Sequence, residues 1–188
     1  NFVYGGDSVF NYSTHGMRVF SILAGNSPYY LVGSAPEAEY VLLMSEDPFT
    51  ENLIEEINWI SAAEFADSIG ADIVNVSLGY LNFDMPENNH SYEDMDGETT
   101  IIALAAREAA HKGMLIVASA ANSGESQEHP WITSPGDAKD IITAGAVYSD
   151  STYAAFSSIG PSYDGRIKPD LVAMGAGTFN QEPNGEFG

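Results

Sequence analysis

A chain of 188 residues, 44% of them hydrophobic, is large enough for one domain with a real core and too short to suggest two. Acidic residues outnumber basic ones 27 to 6, giving a formal charge of −21, so the surface repels nucleic acid and anionic membranes and argues against both as partners. The absence of cysteine removes disulfides, thiolate catalysis and Cys-based zinc sites together, and no apolar run is long enough to span a bilayer. The negative charge is compatible with salt tolerance, with divalent cation binding or with a preference for cationic substrates; a soluble, self-repelling surface is the simplest account. Asn1-Phe2-Val3-Tyr4 at the start and Asn184-Gly185-Glu186-Phe187-Gly188 at the end both read as mid-domain sequence. The chain is therefore expected to begin and end inside a longer precursor, with any targeting segment upstream.

Helical and strand patterns alternate along the chain. A helix is expected from about Thr14-His15 through Val19 to Ala24. The short apolar run Tyr40 to Met44 predicts a buried strand. Asn52 to Ile69 predicts a long amphipathic helix with Leu53, Ile57, Ile60, Phe65 and Ile69 on its apolar side and Gly70 as its stop. A strand over Ala71 to Leu78 follows, then a polar stretch, Tyr80 to Gly97, expected to be a surface insertion. The Ala-rich run Thr99 to His111 predicts a helix stopped by Gly113, and Met114 to Ala118 and Ile141 to Val147 predict two further strands. From Ser149 onward the sequence is loop-rich. The βαβαβ order with apolar strands implies an α/β fold, a mainly parallel sheet with helices on both faces in three layers.

In open parallel sheets the working residues gather at the carboxyl ends of strands. Three segments place polar residues at such positions: Thr14-His15-Gly16 before a helix, Asn75-Val76-Ser77-Leu78-Gly79 closing one strand, and Ser119-Ala120-Ala121-Asn122-Ser123-Gly124 closing another. Ser13 to Gly25 is similar to His-Gly-Thr-x-Val-x-x-x-x-Ala-Gly, Gly70 to Gly79 to Gly-Ala-Asp-Val-Ile-Asn-Met-Ser-Leu-Gly, and Leu115 to Gly124 to a strand ending Ala-Ala-Gly-Asn-x-Gly. Ala144-Gly145-Ala146-Val147, Phe156-Ser157-Ser158-Ile159-Gly160-Pro161 and Lys168-Pro169-Asp170-Leu171-Val172-Ala173-Met174-Gly175 follow in the same order. Taken together these segments resemble the subtilase (subtilisin-like) peptidase family over nearly the whole chain, and the fold the resemblance implies is a subtilisin-like catalytic domain, incomplete at both ends.

The resemblance implies roles. His15 is expected to be the general base that takes a proton from a serine and returns it to the leaving amine. Asn122 is expected to donate its side-chain amide to the oxyanion. Ser77, Leu78 and Gly79 are expected to form the edge on which a substrate peptide adds as a strand, and Ser119, Ala120 and Ala121 to wall the pocket for the residue preceding the scissile bond. His90, His111 and His129 lack comparable framing and read as ordinary histidines. The substrate is then a peptide or protein, and the location a secreted or cell-envelope one by the family's habit. No cofactor is required. Ca²⁺ is an optional ligand of Glu93-Asp94-Met95-Asp96-Gly97-Glu98, whose Asp-x-Asp-Gly spacing is only part of a calcium loop; a solvated acidic loop is the favoured reading.

Several features depart from the family pattern. Its catalytic order is Asp, His, Ser. Asp7 sits only a short loop before His15 with no full strand ahead of it, so it reads as a loop residue and the catalytic Asp as lying upstream. After Gly175 the sequence contains no serine, and Thr178 in Ala176-Gly177-Thr178-Phe179 does not match the nucleophile motif. Met17, Ala121 and Met174 stand where the family usually has Thr, Gly and Pro. Two functions remain open at this point: a serine endopeptidase whose nucleophile is encoded downstream, so that the chain alone is inactive, and a non-catalytic pseudopeptidase that binds peptides. A nucleotide-binding α/β domain is disfavoured because no Gly-rich phosphate loop follows any strand.

Overall fold

The computed structural model describes residues 1–10 and 12–188. Its frame is a four-stranded sheet in the order β3-β4-β5-β6, formed by β3 (Ile73–Val76), β4 (Leu115–Ser119), β5 (Ile142–Val147) and β6 (Leu171–Met174). All three pairings are parallel, with Val76 opposite Ala118, Ser119 opposite Ala144 and Val147 opposite Met174. Helix α1 (His15–Ala24) leads into a small antiparallel hairpin of β1 (Asn26–Ser27) and β2 (Leu31–Val32). Helices α2 (Ile54–Ser68) and α3 (Ile101–His111) pack on each other, and α3 packs on β4. This is the α/β architecture that the alternation of helical and strand patterns predicts.

Local sequence explains where the elements stop. Thr100 opens α3 with its hydroxyl accepting the Ala103 N–H at 3.2 Å, a side-chain cap on a free helix-end donor. Gly70, at φ +77°, takes the left-handed turn that ends α2. In α3 the buried positions are Ile102, Ala103, Ala106 and Ala109, a stripe of mostly small residues that lets α2 approach.

Four expectations change. Helix α2 buries Trp59, Ala62, Ala63 and Ala66, whereas Ile57, Phe65 and Ile69 are largely exposed. Packing on another helix rewards close approach, so the alanines face the core beside Trp59, with Leu53 and Ile60 packed against it and Ile57, Phe65 and Ile69 turned away. Tyr40 to Met44 is not a strand; Phe2 N–H donates to Met44 O at 2.9 Å, but no ladder forms, and Val41 and Leu42 are exposed. An apolar run becomes a strand only when a neighbour supplies paired backbone groups. The stretch from Tyr80 to Gly97 is less superficial than its polarity implies, since Tyr80 and Met95 are fully buried and Phe83 nearly so, with 3₁₀ turns at Pro86–Asn88 and Tyr92–Asp94. Beyond Ser149 the chain is not all loop: it delivers β6 to the sheet edge. Buried Lys168 holds that strand's entry, donating to Ile141 O (3.1 Å), Thr143 Oγ1 (3.0 Å) and Asp170 Oδ2 (2.7 Å), while Asp170 Oδ2 accepts the Thr143 N–H (2.7 Å).

The acidic run 93–98 is occupied by local bonds. Asp94 caps Ser91, Asp96 accepts from the Glu98 and Thr99 backbone N–H groups at 2.8 and 2.7 Å, and Glu98 meets Lys139 at 2.8 Å.

The first turn of α2 carries two buried carboxylates, Glu55 and Glu56, at the helix end where the dipole favours negative charge. Glu55 accepts the Asp47 N–H at 2.9 Å and the Asn52 N–H at 3.2 Å. Glu56 Oε1 meets His90 Nε2 at 2.6 Å. Glu46 accepts from the Tyr80 hydroxyl. Burial pushes the Glu55 carboxyl up from 4.5 to about 7, with the charges of Glu46 and Glu51 adding to the rise and the two backbone donors opposing it. Burial likewise raises Glu46, and burial followed by the charges of Glu46 and Asp84 raises Glu51.

A carboxyl whose folded pKa lies above its unfolded one stabilises the fold below the unfolded pKa, and that stability is lost as pH rises through the folded pKa. Glu55 therefore costs the fold on the order of 3 kcal/mol between about pH 5 and about pH 8. Glu55→Gln, which removes the titration and keeps one of the two acceptor oxygens, is expected to flatten that slope. Denaturant midpoints across the range check this, and equal slopes for the two proteins would refute it.

Candidate active site

The parallel register between β3 and β4 sets two strand ends at one level. Val76 pairs with Ala118, so Ser77, just past the end of β3, stands level with Ser119, the last residue of β4. On the β3 side, His15 at the first position of α1 places its ring Nε2 3.0 Å from Ser77 O. A carbonyl only accepts, so in this arrangement Nε2 carries the hydrogen and donates it. Asn75 Nδ2 donates to Ser77 Oγ at 3.0 Å and steadies the same corner.

From Ser77 the chain runs to Gly79, which is pressed between Thr133 and Ala121. A Cβ built on Gly79 would collide with Thr133 Oγ1 and lie 3.3 Å from the Ala121 Cβ, so a larger residue here would require the Thr133 side chain to move. Gly79, Ala121, Asn122, Thr133 and Glu51 line a cavity of about 380 Å³. The segment 77–79 thus touches His15 at one end and the Asn122 cavity at the other.

The sequence-predicted residues do not all face this space. Leu78 packs against the hydrophobic core, leaving its backbone at the edge. Of the three expected wall residues, Ala121 lines the cavity. Ala120 is only 1% exposed and donates its N–H to Ala144 O at 2.9 Å, and Ser119 Oγ accepts the Ala121 N–H at 3.0 Å within its own turn. These two shape the loop from behind. Asp7 lies in an exposed bend, and among the described residues no hydrogen bond joins it to His15. His90 pairs with Glu56, His111 with Asp140 at 3.0 Å, and His129, its pKa lowered by burial, faces Ile132 O at 3.4 Å.

Asn122 is held in place by a segment to which the sequence assigned no role. Ser158 N–H donates to Ala121 O (3.0 Å), Ser158 Oγ accepts the Ser123 N–H (2.9 Å), and Gly124 N–H donates to Phe156 O (2.9 Å). Gly124 has backbone carbonyls of Ala155 and Ser157 where a side chain would start. Phe156 to Pro161 was visible as a motif, but its bracing role depends on a contact across more than thirty residues, for which local pattern carries no signal. Thr133 and Glu51 were not picked out at all. The Tyr80 N–H bond to Ser134 O at 2.7 Å brings the first to the cavity, and the turn ahead of α2 brings the second.

Ala121 has φ +81°, a left-handed conformation that costs an L-residue about 1–2 kcal/mol. The family's Gly at this position has a physical basis here, and the methyl group of Ala121 also narrows the cavity. Ala121→Gly is expected to stabilise the chain by up to about 1 kcal/mol, the relief of strain being partly offset by the greater freedom of unfolded glycine. Equilibrium unfolding measures this, and a clear loss of stability would contradict the strain.

The profile of the Subtilase family matches residues 1–187. Serine protease AprX of Bacillus subtilis (strain 168) is 32% identical over 165 residues, covering 81% of this chain and 35% of AprX. The major intracellular serine protease of the same organism is 28% identical over 185 residues, covering 97% of this chain and 51% of that protein. The chain thus spans between about a third and a half of these relatives. Among solved structures, the patellamide maturation protease PatA superposes with a TM-score of 0.71 at 24% identity, covering 93% of this chain and 57% of PatA, a likeness that speaks to the fold alone. With its parallel sheet and strand-end loops matched along nearly its full length, the chain belongs to the subtilase family of serine peptidases.

Proposed function

We propose that this chain carries the base and oxyanion half of a serine endopeptidase site, completed by a serine that residues 1–188 do not supply at the family's position. The supporting observation is the single strand edge, Ser77 to Gly79, that meets His15 Nε2 at 3.0 Å and borders the cavity lined by Asn122. A peptide laid along that edge as an added strand has its scissile carbonyl between the two groups. The serine Oγ attacks the carbonyl carbon as its proton passes to His15 Nε2, and the oxygen that becomes negative accepts from the Asn122 amide. Collapse breaks the C–N bond, and the proton on His15 goes to the departing amine. Water then attacks the acyl-enzyme by the same route in reverse. For this cycle the His15 ring turns from Ser77 O toward the hydroxyl, because Nε2 acts as a base only when it presents a lone pair.

The same cleft supports a second reading, a peptide-binding module without chemistry. It is favoured by the methyl group of Ala121 beside Asn122. A serine-directed fluorophosphonate separates the two. A full-length, folded protein containing this chain is expected to be labelled, and His15→Ala is expected to abolish labelling, while the 188-residue chain alone stays unlabelled. A folded full-length protein that resists labelling would leave only the binding module.

Asn122→Ala in the full-length protein is expected to lower turnover about 100- to 1,000-fold, the magnitude known for the corresponding amide in subtilisin, with little change in KM. A KM effect with turnover preserved would instead make Asn122 a ground-state contact.

A further inference from the structure

The base-and-oxyanion reading leaves two groups in the cavity without a role. Glu51 is anchored by its backbone: its N–H donates to Asp84 Oδ2 at 3.2 Å, and Asp84 N–H donates to Glu51 O at 2.8 Å. The residue lines the cavity, and among the described residues no ion pair involves its carboxylate. Glu46 and Glu55 each bring a carboxylate oxygen within 4.8 Å of it and of each other. Burial, followed by the negative charges of Glu46 and Asp84, disfavours its charged form, and no lysine or arginine lines this cavity among the described residues. The second group is Thr133, 3% exposed, whose Oγ1 has no hydrogen-bond partner and lies against the bare side of Gly79. A buried hydroxyl left unpaired is a costly arrangement unless a ligand completes it.

A carboxylate and a buried, unpaired hydroxyl on two residues that line the same cavity are both satisfied by a group that only donates and carries positive charge. Guanidinium and ammonium are the side-chain groups of that kind. We propose that this cavity receives a lysine or arginine side chain of the bound peptide, with Glu51 as its counter-charge and Thr133 Oγ1 as a hydrogen-bond acceptor. The substrate class is then peptides with a basic residue next to the carbonyl that Asn122 faces. The assignment rests on the peptide-cleft reading and deepens it. The excess of 27 acidic over 6 basic residues acts in the same direction at longer range, drawing cationic peptides to the surface.

Binding tests this without requiring turnover. Short peptides identical except for a C-terminal arginine, citrulline or glutamate are titrated into the chain by fluorescence anisotropy. Citrulline keeps the length and planar head of arginine without its charge. The arginine peptide is expected to bind at least about tenfold more tightly than the citrulline peptide, with the glutamate peptide weakest. Glu51→Gln is expected to bring the arginine-to-citrulline ratio close to one while citrulline binding stays within about twofold, which also shows the cleft intact. Glu51→Lys provides a second variant, expected to favour the glutamate peptide. A wild-type ratio near one, or a ratio unchanged in Glu51→Gln, overturns the assignment alone. Loss of the arginine preference in millimolar calcium also overturns it, because Glu46, Glu51 and Glu55 would then be metal ligands. Failure of all three peptides to bind overturns the peptide-cleft reading and the assignment with it.

Discussion

The site depends on the lateral pairing of β3 with β4. Parallel strands paired in register end at the same height, and the Val76–Ala118 pair fixes that height for both. The groups to which a role is proposed are set relative to it: His15 through the Ser77 carbonyl, the cavity through Gly79, and Asn122 through the turn that begins at Ser119. Shifting either strand by one residue would turn each side chain to the opposite face and separate the two loops. Gly79 shows how tight this junction is, since the two loops and Thr133 meet with no room for a methyl group unless the Thr133 side chain moves.

Much of this was legible in the sequence. The apolar runs that became β3, β4 and β5, the helix stops at Gly70 and Gly113, and the polar residues after β3 and β4 all announce a parallel sheet with a working edge. His15 and Asn122 stood out because each sits in a short motif that resembles the family's, and their roles were expected from that resemblance. The failures share a cause. Tyr40 to Met44 has a strand's composition but lacks a strand's neighbour, and pairing is a property of two segments rather than one. The apolar side of α2 was legible only in part: Leu53 and Ile60 pack against the core, but the alanines that fit against α3 were passed over and Ile57, Phe65 and Ile69 lie off it. Glu51, Thr133 and the bracing segment around Ser158 come from distant stretches of chain that meet only once the fold exists.

The electrostatics of the cleft are unusual in being concentrated on one side. Around α1 and Ser77 the partners are backbone carbonyls and hydroxyls, whereas the wall formed by the approach to α2 gathers Glu46, Glu51 and Glu55. Two of these acids hold the turn together by accepting backbone N–H groups or the Tyr80 hydroxyl, which accounts for their burial structurally. Glu51 differs in that its backbone is anchored and the residue lines the cavity, while no hydrogen bond or ion pair engages its carboxylate among the described residues.

The outer rows of the sheet affect how the polypeptide behaves in water. Ile73 and Leu115 are register partners, 62% and 43% exposed, and Leu171, Val172 and Met174 on the edge strand are similarly uncovered. Such a surface attracts its own kind, and the net charge of −21 opposes that attraction by keeping copies apart. Repulsion of this sort reaches only about 8 Å at physiological ionic strength and shrinks further in brine, while the attraction between oily faces does not. For the 188-residue chain taken by itself, added salt weakens the repulsion while leaving the attraction, so clustering is favoured as ionic strength rises.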